Sequence, residues 1–238
     1  MDEKINKLRE MVDASDNIVF FGGAGVSTES GIPDFRSVDG LYHQQFDYPP
    51  ETILSHTFYM QHKAEFFKFY RQKMLAPDAQ PNAAHLKLAQ WEREGKLKAV
   101  ITQNIDGLHQ KAGSQEVLEL HGSVLRNYCE RCHKFYGLDH VLHTEGVPHC
   151  TCGGDVKPDV VLYEEGLDEH TLDKALYYIS NADMLIIGGT SLVVYPAAGL
   201  VRYYRGNKLV VINKGELGRD VGAALTINGA IGEVLSQL

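Results

Sequence analysis

Asn17-Ile18-Val19-Phe20-Phe21-Gly22-Gly23-Ala24-Gly25 is the stretch on which the fold turns. A short, unbroken apolar run reads as a strand buried on both faces. The glycines behind it let the backbone turn tightly and come close to another chain or a ligand. Leu97–Thr102, Met184–Gly188 and Lys208–Asn213 have the same character. Helical spacing lies between and around these runs, at Asn82–Glu94, Asp168–Ser180, Pro196–Tyr204 and Ala230–Leu238. Residues 2–15 open the chain as an amphipathic helix carrying Ile5, Leu8, Met11 and Val12. Strand alternating with helix predicts an α/β fold with a Rossmann-like, doubly wound parallel sheet.

Two stretches break the alternation. Residues 38–76 are aromatic and helical, with Phe58, Phe66, Phe67, Phe69 and Tyr70. Residues 127–157 hold all four cysteines among short, turn-rich spacers. Both read as insertions that together build a smaller domain, a helical module with a zinc ribbon. The larger, dinucleotide-binding domain then comprises 1–37, 77–126 and 158–238.

Composition narrows the function classes. The 238 residues are 44% apolar and 23% charged, ordinary for a packed globular chain. The net charge of −8 argues against non-specific binding to nucleic acid or anionic membrane. MDEKINKLRE lacks the apolar core of a secretory signal. No apolar run approaches the roughly 18 residues of a membrane helix. The expected compartment is the cytoplasm, the expected state a monomer. In a reducing compartment clustered cysteines read as metal ligands. Cys129-x2-Cys132, seventeen residues, then Cys150-x-Cys152 suits one tetrahedral, structural zinc ion. His149-x2-Cys152 leaves His149 as an alternative to Cys150.

Gly23-Ala24-Gly25, with Ser27 and Thr28 as added donors, suits a pyrophosphate at a helix N-terminus. The G-x-G-x-x-G pattern is incomplete, because Thr28 holds the third place. No acidic residue ends a second strand to grip a ribose, which counts against a hydride-transfer enzyme. After Leu97–Thr102 come Gln103, Asn104 and Asp106, three polar side chains that are costly at a strand end unless they bond something. His121 follows Leu118-Glu119-Leu120, and an imidazole near neutrality suits a general base. The other histidines, His43, His56, His62, His85, His140, His143 and His170, read as surface or packing residues.

As a whole the chain resembles the sirtuins, from about Asp16 to its end and over five ordered motifs. These are Gly23-Ala24-Gly25-Val26-Ser27-Thr28-Glu29-Ser30-Gly31-Ile32-Pro33-Asp34-Phe35-Arg36, Thr102–His109, Glu119-Leu120-His121-Gly122, Lys157–Glu165 and Gly188–Gly199. The resemblance implies that NAD is consumed as a co-substrate. An acyl-lysine amide oxygen attacks the ribose carbon bearing nicotinamide, and nicotinamide leaves. His121 then activates the neighbouring ribose hydroxyl, and O-acyl-ADP-ribose and free lysine result. It also implies residue roles. Ala24, Gly25 and Thr28 contact phosphate or ribose, Phe35 covers the nicotinamide side, and Arg36 reaches the phosphates. Gln103 and Asn104 lie at the nicotinamide ribose; Asp106 and the Ile105 backbone bind the carboxamide. Gly189, Thr190, Ser191, Asn213 and Lys214 serve the adenosine half, and Ile231 lies by the adenine. Val161 and Tyr163 contact the lysine of a peptide that pairs as an added strand.

Four departures from the family pattern stand out. Gly22 replaces a Thr or Ser. The second cysteine pair is C-x-C in place of C-x2-C. Glu164 stands where relatives often carry Gly, and would favour basic residues beside the target lysine. Phe67 and Tyr70 take the places of the Tyr-x-x-Arg pair that holds succinyl or malonyl carboxylates, with Arg71 one residue off. A small neutral acyl group, acetyl, is therefore expected. The alternatives at this stage are a protein ADP-ribosyltransferase using the same NAD cleavage, and a non-enzymatic module that binds NAD or acetyl-lysine.

Overall fold

In a computed structural model the chain is described over residues 2–35, 40, 48–215, 217, 218 and 220–238. Arg36 and His43 lie outside the described residues. The chain opens with α1 (Asp2–Asp13) and β1 (Ile18–Gly22). α2 (Pro50–Ile53), α3 (His56–Gln61) and α4 (Lys63–Lys73) follow, then α5 (Ala83–Arg93), β2 (Leu97–Thr102), α6 (Leu108–Ala112) and β3 (Val117–Glu119). β4 (Gly122–Cys129), β5 (Phe135–Tyr136), α7 (Leu138–Leu142) and β6 (Val156–Val160) precede α8 (Glu169–Asn181) and β7 (Met184–Gly188). β8 (Lys208–Asn213), β9 (Leu225–Asn228) and α9 (Ile231–Leu235) complete it.

Six strands form one sheet in the order β3-β2-β1-β7-β8-β9, every neighbouring pair parallel. Every residue of β1 and β7 is buried, as unbroken apolar runs require. Alternate residues serve opposite layers. Phe20 packs with Leu8, Leu88, Trp91 and Val234 of α1, α5 and α9. Val19 and Phe21 pack with Ala175 and Ile179 of α8 and with Leu200. The doubly wound sheet expected from the sequence is present.

Two elements differ from expectation. Residues 197–203 wind as a 3-10 helix, not an α-helix. The piece is short, contains Gly199 and ends at Tyr204 in extended backbone, so no long α-helical ladder builds. β9 went unnoticed because Leu225-Thr226-Ile227-Asn228 is only four residues long; its alternation, with Leu225 and Ile227 buried, is that of an edge strand.

The antiparallel sheet β5-β4-β6 forms the second body. β4 and β6 run through the boundaries drawn at 126/127 and 157/158, because their pairing is continuous from Gly122↔Val160 to Cys129↔Val156, apart from one irregularity. Val124, Val160 and Leu162 share a core with Phe58, Tyr59, Phe66, Phe67 and Tyr70 of α3 and α4. Beyond it, Cys129, Cys150 and Val156 make a very small cluster of their own. So few apolar groups need a staple such as a metal. Among the described residues no helix is long and apolar enough to cross a membrane.

Candidate active site at the carboxyl edge of the sheet

Strand order reverses at β1, whose neighbours are β2 on one side and β7 on the other. In open α/β sheets this switch point, beyond the carboxyl ends of the strands, is where ligands bind. Two glycine turns face each other there. Gly25 N–H donates to the Gly189 carbonyl at 2.8 Å, and Gly23 N–H to the Gly188 carbonyl at 3.3 Å. A Cβ on Gly25 would meet the Gly189 Cα at 2.8 Å, and one on Gly23 would meet the Thr190 Cβ at 2.9 Å. Gly189 has φ +58°, and a Cβ there would meet the Val26 nitrogen at 2.3 Å. Only glycines allow this approach, and a dinucleotide pyrophosphate needs such bare backbone.

The polar loop after β2 folds over the crevice. Gln103 N–H donates to the Gly22 carbonyl at 3.0 Å and its Nε2 to Thr190 Oγ1 at 3.1 Å, which joins β1, β2 and β7. Asn104 is buried; its N–H donates to Thr102 Oγ1 at 3.0 Å and its Nδ2 to Ser27 Oγ at 3.1 Å. The Ser27 hydroxyl donates to Asp106 Oδ2 at 2.6 Å. Asp106 Oδ1 in turn accepts the Leu108 N–H at 2.9 Å at the start of α6. Ser27, more than an added donor, is the hub between Asn104 and Asp106. The Ile105 carbonyl accepts the Val124 N–H at 2.9 Å and links this loop to β4.

His121 sits between β3 and β4, half-buried at the same crevice. Its Nδ1 lies 3.0 Å from the Gln103 carbonyl oxygen. A carbonyl only accepts, so Nδ1 carries the proton and Nε2 keeps its lone pair. Burial holds the imidazole below its ordinary pKa, and the bond to Gln103 opposes this in part. The ring is therefore neutral near pH 7, with Nε2 free to take a proton. The His121 carbonyl accepts the Val161 N–H at 3.0 Å, which ties the base to the segment after β6.

That segment packs on an apolar cluster. Phe35, Ile105, Phe67, Tyr70, Val160 and Leu162 belong to one cluster. Phe67 and Tyr70 are fully buried and carry no charge. Arg71 points elsewhere, its Nε donating to the Val141 carbonyl at 2.7 Å and its other end to the Gly146 carbonyl. No guanidinium is offered to an acyl carboxylate by these residues. Tyr163 is exposed, with its backbone paired to Leu54 and His56 of the helical insertion. Glu164 adopts φ +77°, and its carboxylate accepts the Thr57 N–H at 2.9 Å and hydroxyl at 2.7 Å.

The four cysteine sulfurs lie within 4.8 Å of one another, with Cys129–Cys152 and Cys132–Cys150 at 3.5 Å. A tetrahedral zinc with bonds of about 2.3 Å sets its sulfurs about 3.8 Å apart, so the set fits. Arg131 and Cys132 N–H groups point at the Cys129 sulfur at 3.4 Å, as thiolate ligands require. Gly154 makes room, since a Cβ there would meet that sulfur at 2.9 Å. His149 is exposed and its Nδ1 pairs with Asp155 Oδ1 at 2.9 Å, which leaves Cys150 as the side chain placed to take the fourth corner.

The remaining expected residues gather less tightly. Ala24 and Thr28 line the glycine turn, and Thr28 Oγ1 donates to the Gly25 carbonyl at 3.0 Å. Ser191 is half-buried and its carbonyl accepts the Gly218 N–H. Asn213 ends β8, its Nδ2 closing a turn onto the Gly215 carbonyl at 2.9 Å, with Lys214 exposed beside it. Ile231 is 2% exposed and its side chain packs against Gly188. Reasoning from sequence missed Asn82 and took His85 for a surface or packing residue. Asn82 caps α5 and reaches the glycine loop, and Asn82 with His85 at the third helical position was the available signal.

The Sir2 family model matches residues 23–196. An NAD-dependent protein deacetylase of Clostridium perfringens is 60% identical, aligned over 100% of this chain and 99% of its own. A protein of the same name from Staphylococcus aureus strain N315 is 43% identical over 100% of this chain and 99% of its own. Among solved structures, Sir2 with a p53 peptide and NAD+ superposes with a TM-score of 0.85 at 39% identity, over 98% of this chain and 96% of that one. Sir2 bound to acetylated peptide gives 0.85 at 37% identity, with the same coverage. Matched by the family model over most of its length and by full-length relatives, the chain belongs to the Sir2 family, the sirtuins.

Proposed function

We infer that the chain is an NAD-dependent protein lysine deacetylase, which moves acetyl from acetyl-lysine to ADP-ribose and releases nicotinamide and O-acetyl-ADP-ribose. The observation that carries this reading is the meeting, at the switch point, of His121 with a free Nε2 and the Ser27–Asn104–Asp106 network. NAD supplies the labile ribose–nicotinamide bond. The glycine turns at Gly25 and Gly189 take its pyrophosphate, with Thr28, Thr190 and Ser191 as donors. Asn213, Lys214 and Ile231 serve the adenosine half. Asn104 and Gln103 orient the nicotinamide ribose, and Asp106 with the Ile105 backbone holds the carboxamide. Phe35 and the apolar cluster around it exclude water from the reacting carbon. His121 Nε2 accepts the proton of a ribose hydroxyl.

Acetyl-lysine of a protein substrate enters between Val161 and Tyr163. The neutral walls at Phe67 and Tyr70, with Arg71 turned to main-chain carbonyls, support a small uncharged acyl group. The smaller domain comprises 38–76 with 127–157, and the dinucleotide-binding domain comprises 1–37, 77–126 and 158–238. Four thiolates leave zinc no open position, so its role is to hold the ribbon together. A cytoplasmic location, where thiolate ligands stay reduced, and a monomeric state complete the reading.

Mass spectrometry of an acetyl-lysine peptide, with and without NAD and beside His121→Ala, tests the reading. NAD-dependent loss of acetyl with O-acetyl-ADP-ribose, abolished in the variant, is expected. An untouched peptide with ADP-ribose on protein moves the assignment to a transferase; NAD left intact removes the enzymatic reading.

A further inference from the structure

Residues 24–30 wind as two successive 3-10 turns, Ala24–Val26 and Thr28–Ser30. Such turns have weaker hydrogen-bond geometry than an α-helix and do not sustain long runs. The loop is held from outside instead. Ser27 ties it to Asp106 and Asn104 within the crevice. Glu29 accepts the N–H groups of Gly232 and Glu233 at 2.6 and 3.1 Å on the far side. The third hold is Asn82. Its Nδ2 donates to the Val26 carbonyl at 2.7 Å and to Ser30 Oγ at 3.0 Å, one residue before and three after Ser27.

Asn82 also begins α5, where its Oδ1 accepts the Ala84 N–H at 2.9 Å. That bond needs only an acceptor, and Ser or Asp would make it as well. The two donated bonds need the amide nitrogen, which neither of those residues has. Capping thus explains half of this side chain and leaves the grip on the loop unexplained. The same turn of α5 bears on the other wall. The Asn82 N–H donates to His85 Nδ1 at 3.2 Å, and the buried His85 ring lies 4.7 Å from that of His109. His109 lies three residues beyond Asp106.

We propose that Asn82 is a positioning residue for the reaction, acting through Ser27 by holding residues 26–30 in register with Asp106 and Asn104. The inference rests on the NAD-dependent reading of the crevice. Asn82→Ser keeps an N-cap and removes the reach to Val26 and Ser30; Asn82→Ala removes both. The measurements are NAD binding by titration, steady-state constants for NAD and for an acetyl-lysine peptide, and thermal midpoints. For Asn82→Ser a fall in thermal midpoint of roughly 4–8 °C is expected, because the two hydrogen bonds are made in the unliganded fold. Its NAD dissociation constant and KM rise roughly tenfold, from two lost hydrogen bonds, while KM for peptide stays within about twofold. Asn82→Ala adds a further fall in midpoint. Parental NAD affinity in Asn82→Ser overturns the proposal, as does an equal rise in both KM values. A parent that binds NAD but deacetylates nothing ends the deacetylase reading only; weaker NAD binding by Asn82→Ser still supports the positioning role. A parent that binds no NAD overturns both.

Discussion

Lowering the pH from 7 to 5 should strip stability from this protein through two histidines. His85 and His109 are 0% and 1% exposed. Burial pushes His85 down to about 4, against a partial pull upward from Asp106. Burial, with His85 alongside, holds His109 well below its ordinary value. Both are neutral in the folded chain and titrate near 6.5 when unfolded, so the unfolded state binds more protons as pH falls. The stabilisation is whole above about pH 6.5 and is lost as pH falls from there toward the folded values. For His85, from 6.5 to 5 is about 1.5 units at about 1.4 kcal/mol each, or roughly 2 kcal/mol, and His109 acts in the same direction. Carboxylates held low by hydrogen bonds, such as Asp155 and Glu165, have ordinary values of 3.8 and 4.5 and act at lower pH. The single tryptophan, Trp91, is 4% exposed in α5, so its fluorescence follows urea unfolding of the same layer. Unfolding free energy should drop by roughly 2 kcal/mol or more between pH 7 and 5. His85→Gln should make the drop smaller. A free energy that stays level between pH 7 and 5, or an unchanged slope in His85→Gln, refutes the reasoning.

Other outcomes follow from the crevice and its rim. His121→Ala should lower kcat by roughly a hundredfold to ten-thousandfold while NAD titration stays near parental, because the glycine cradle is untouched. Gly25→Ala drives a Cβ against the Gly189 backbone and disturbs the 2.8 Å bond between them. It should cost about 2–4 kcal/mol, a fall in Tm of roughly 4–16 °C, and weaken NAD binding. Gly166→Ala, with nothing within 4 Å of the added carbon, is the control and should leave both unchanged. Metal analysis of purified protein should find zinc retained in His149→Ala and lost in Cys150→Ser; the reverse would move the fourth ligand to His149. Hydrogen bonds from Thr57 hold the Glu164 carboxyl below its ordinary value, so it is an anion at the peptide edge. Glu164→Gln should lower kcat/KM for basic-flanked peptides by a factor of about 2 to 5 at low salt. Equal parental turnover of acidic- and basic-flanked peptides removes that specificity.

Most of the sheet was legible because its central strands are buried on both faces, which leaves unbroken apolar runs such as Met184–Gly188 that few other elements share. What escaped was whatever lacked such a run. β9 is an edge strand of four residues, and residues 197–203 carry helical residues but wind too tightly for an α-helix. Among single residues, motif spacing located His121, Asn104 and Asp106 because each ends or follows a strand at the carboxyl edge. The smaller body depended on its cysteine spacing, since β5 is only two residues long and has no pattern of its own.

Spacing is blind to contacts that join distant segments, and those decide how the site is held. Ser27 and Asp106 are 79 residues apart, and Asn82 and Val26 are 56 apart, yet each pair shares a short hydrogen bond. A sequence shows Asn82 as a helix cap because capping is local, whereas its amide donors are spent on a loop that only the fold brings near. His85 is a parallel case. Read alone it is a packing histidine, and burial in the fold bears that out. Its position between the cap and His109 makes it a wall shared by the glycine loop and the polar loop. On the proposed reading the chemistry lies in motifs that a linear reading finds, while its alignment lies in side chains from a neighbouring helix. Substitutions at the start of α5 should change NAD affinity even though no motif there names it.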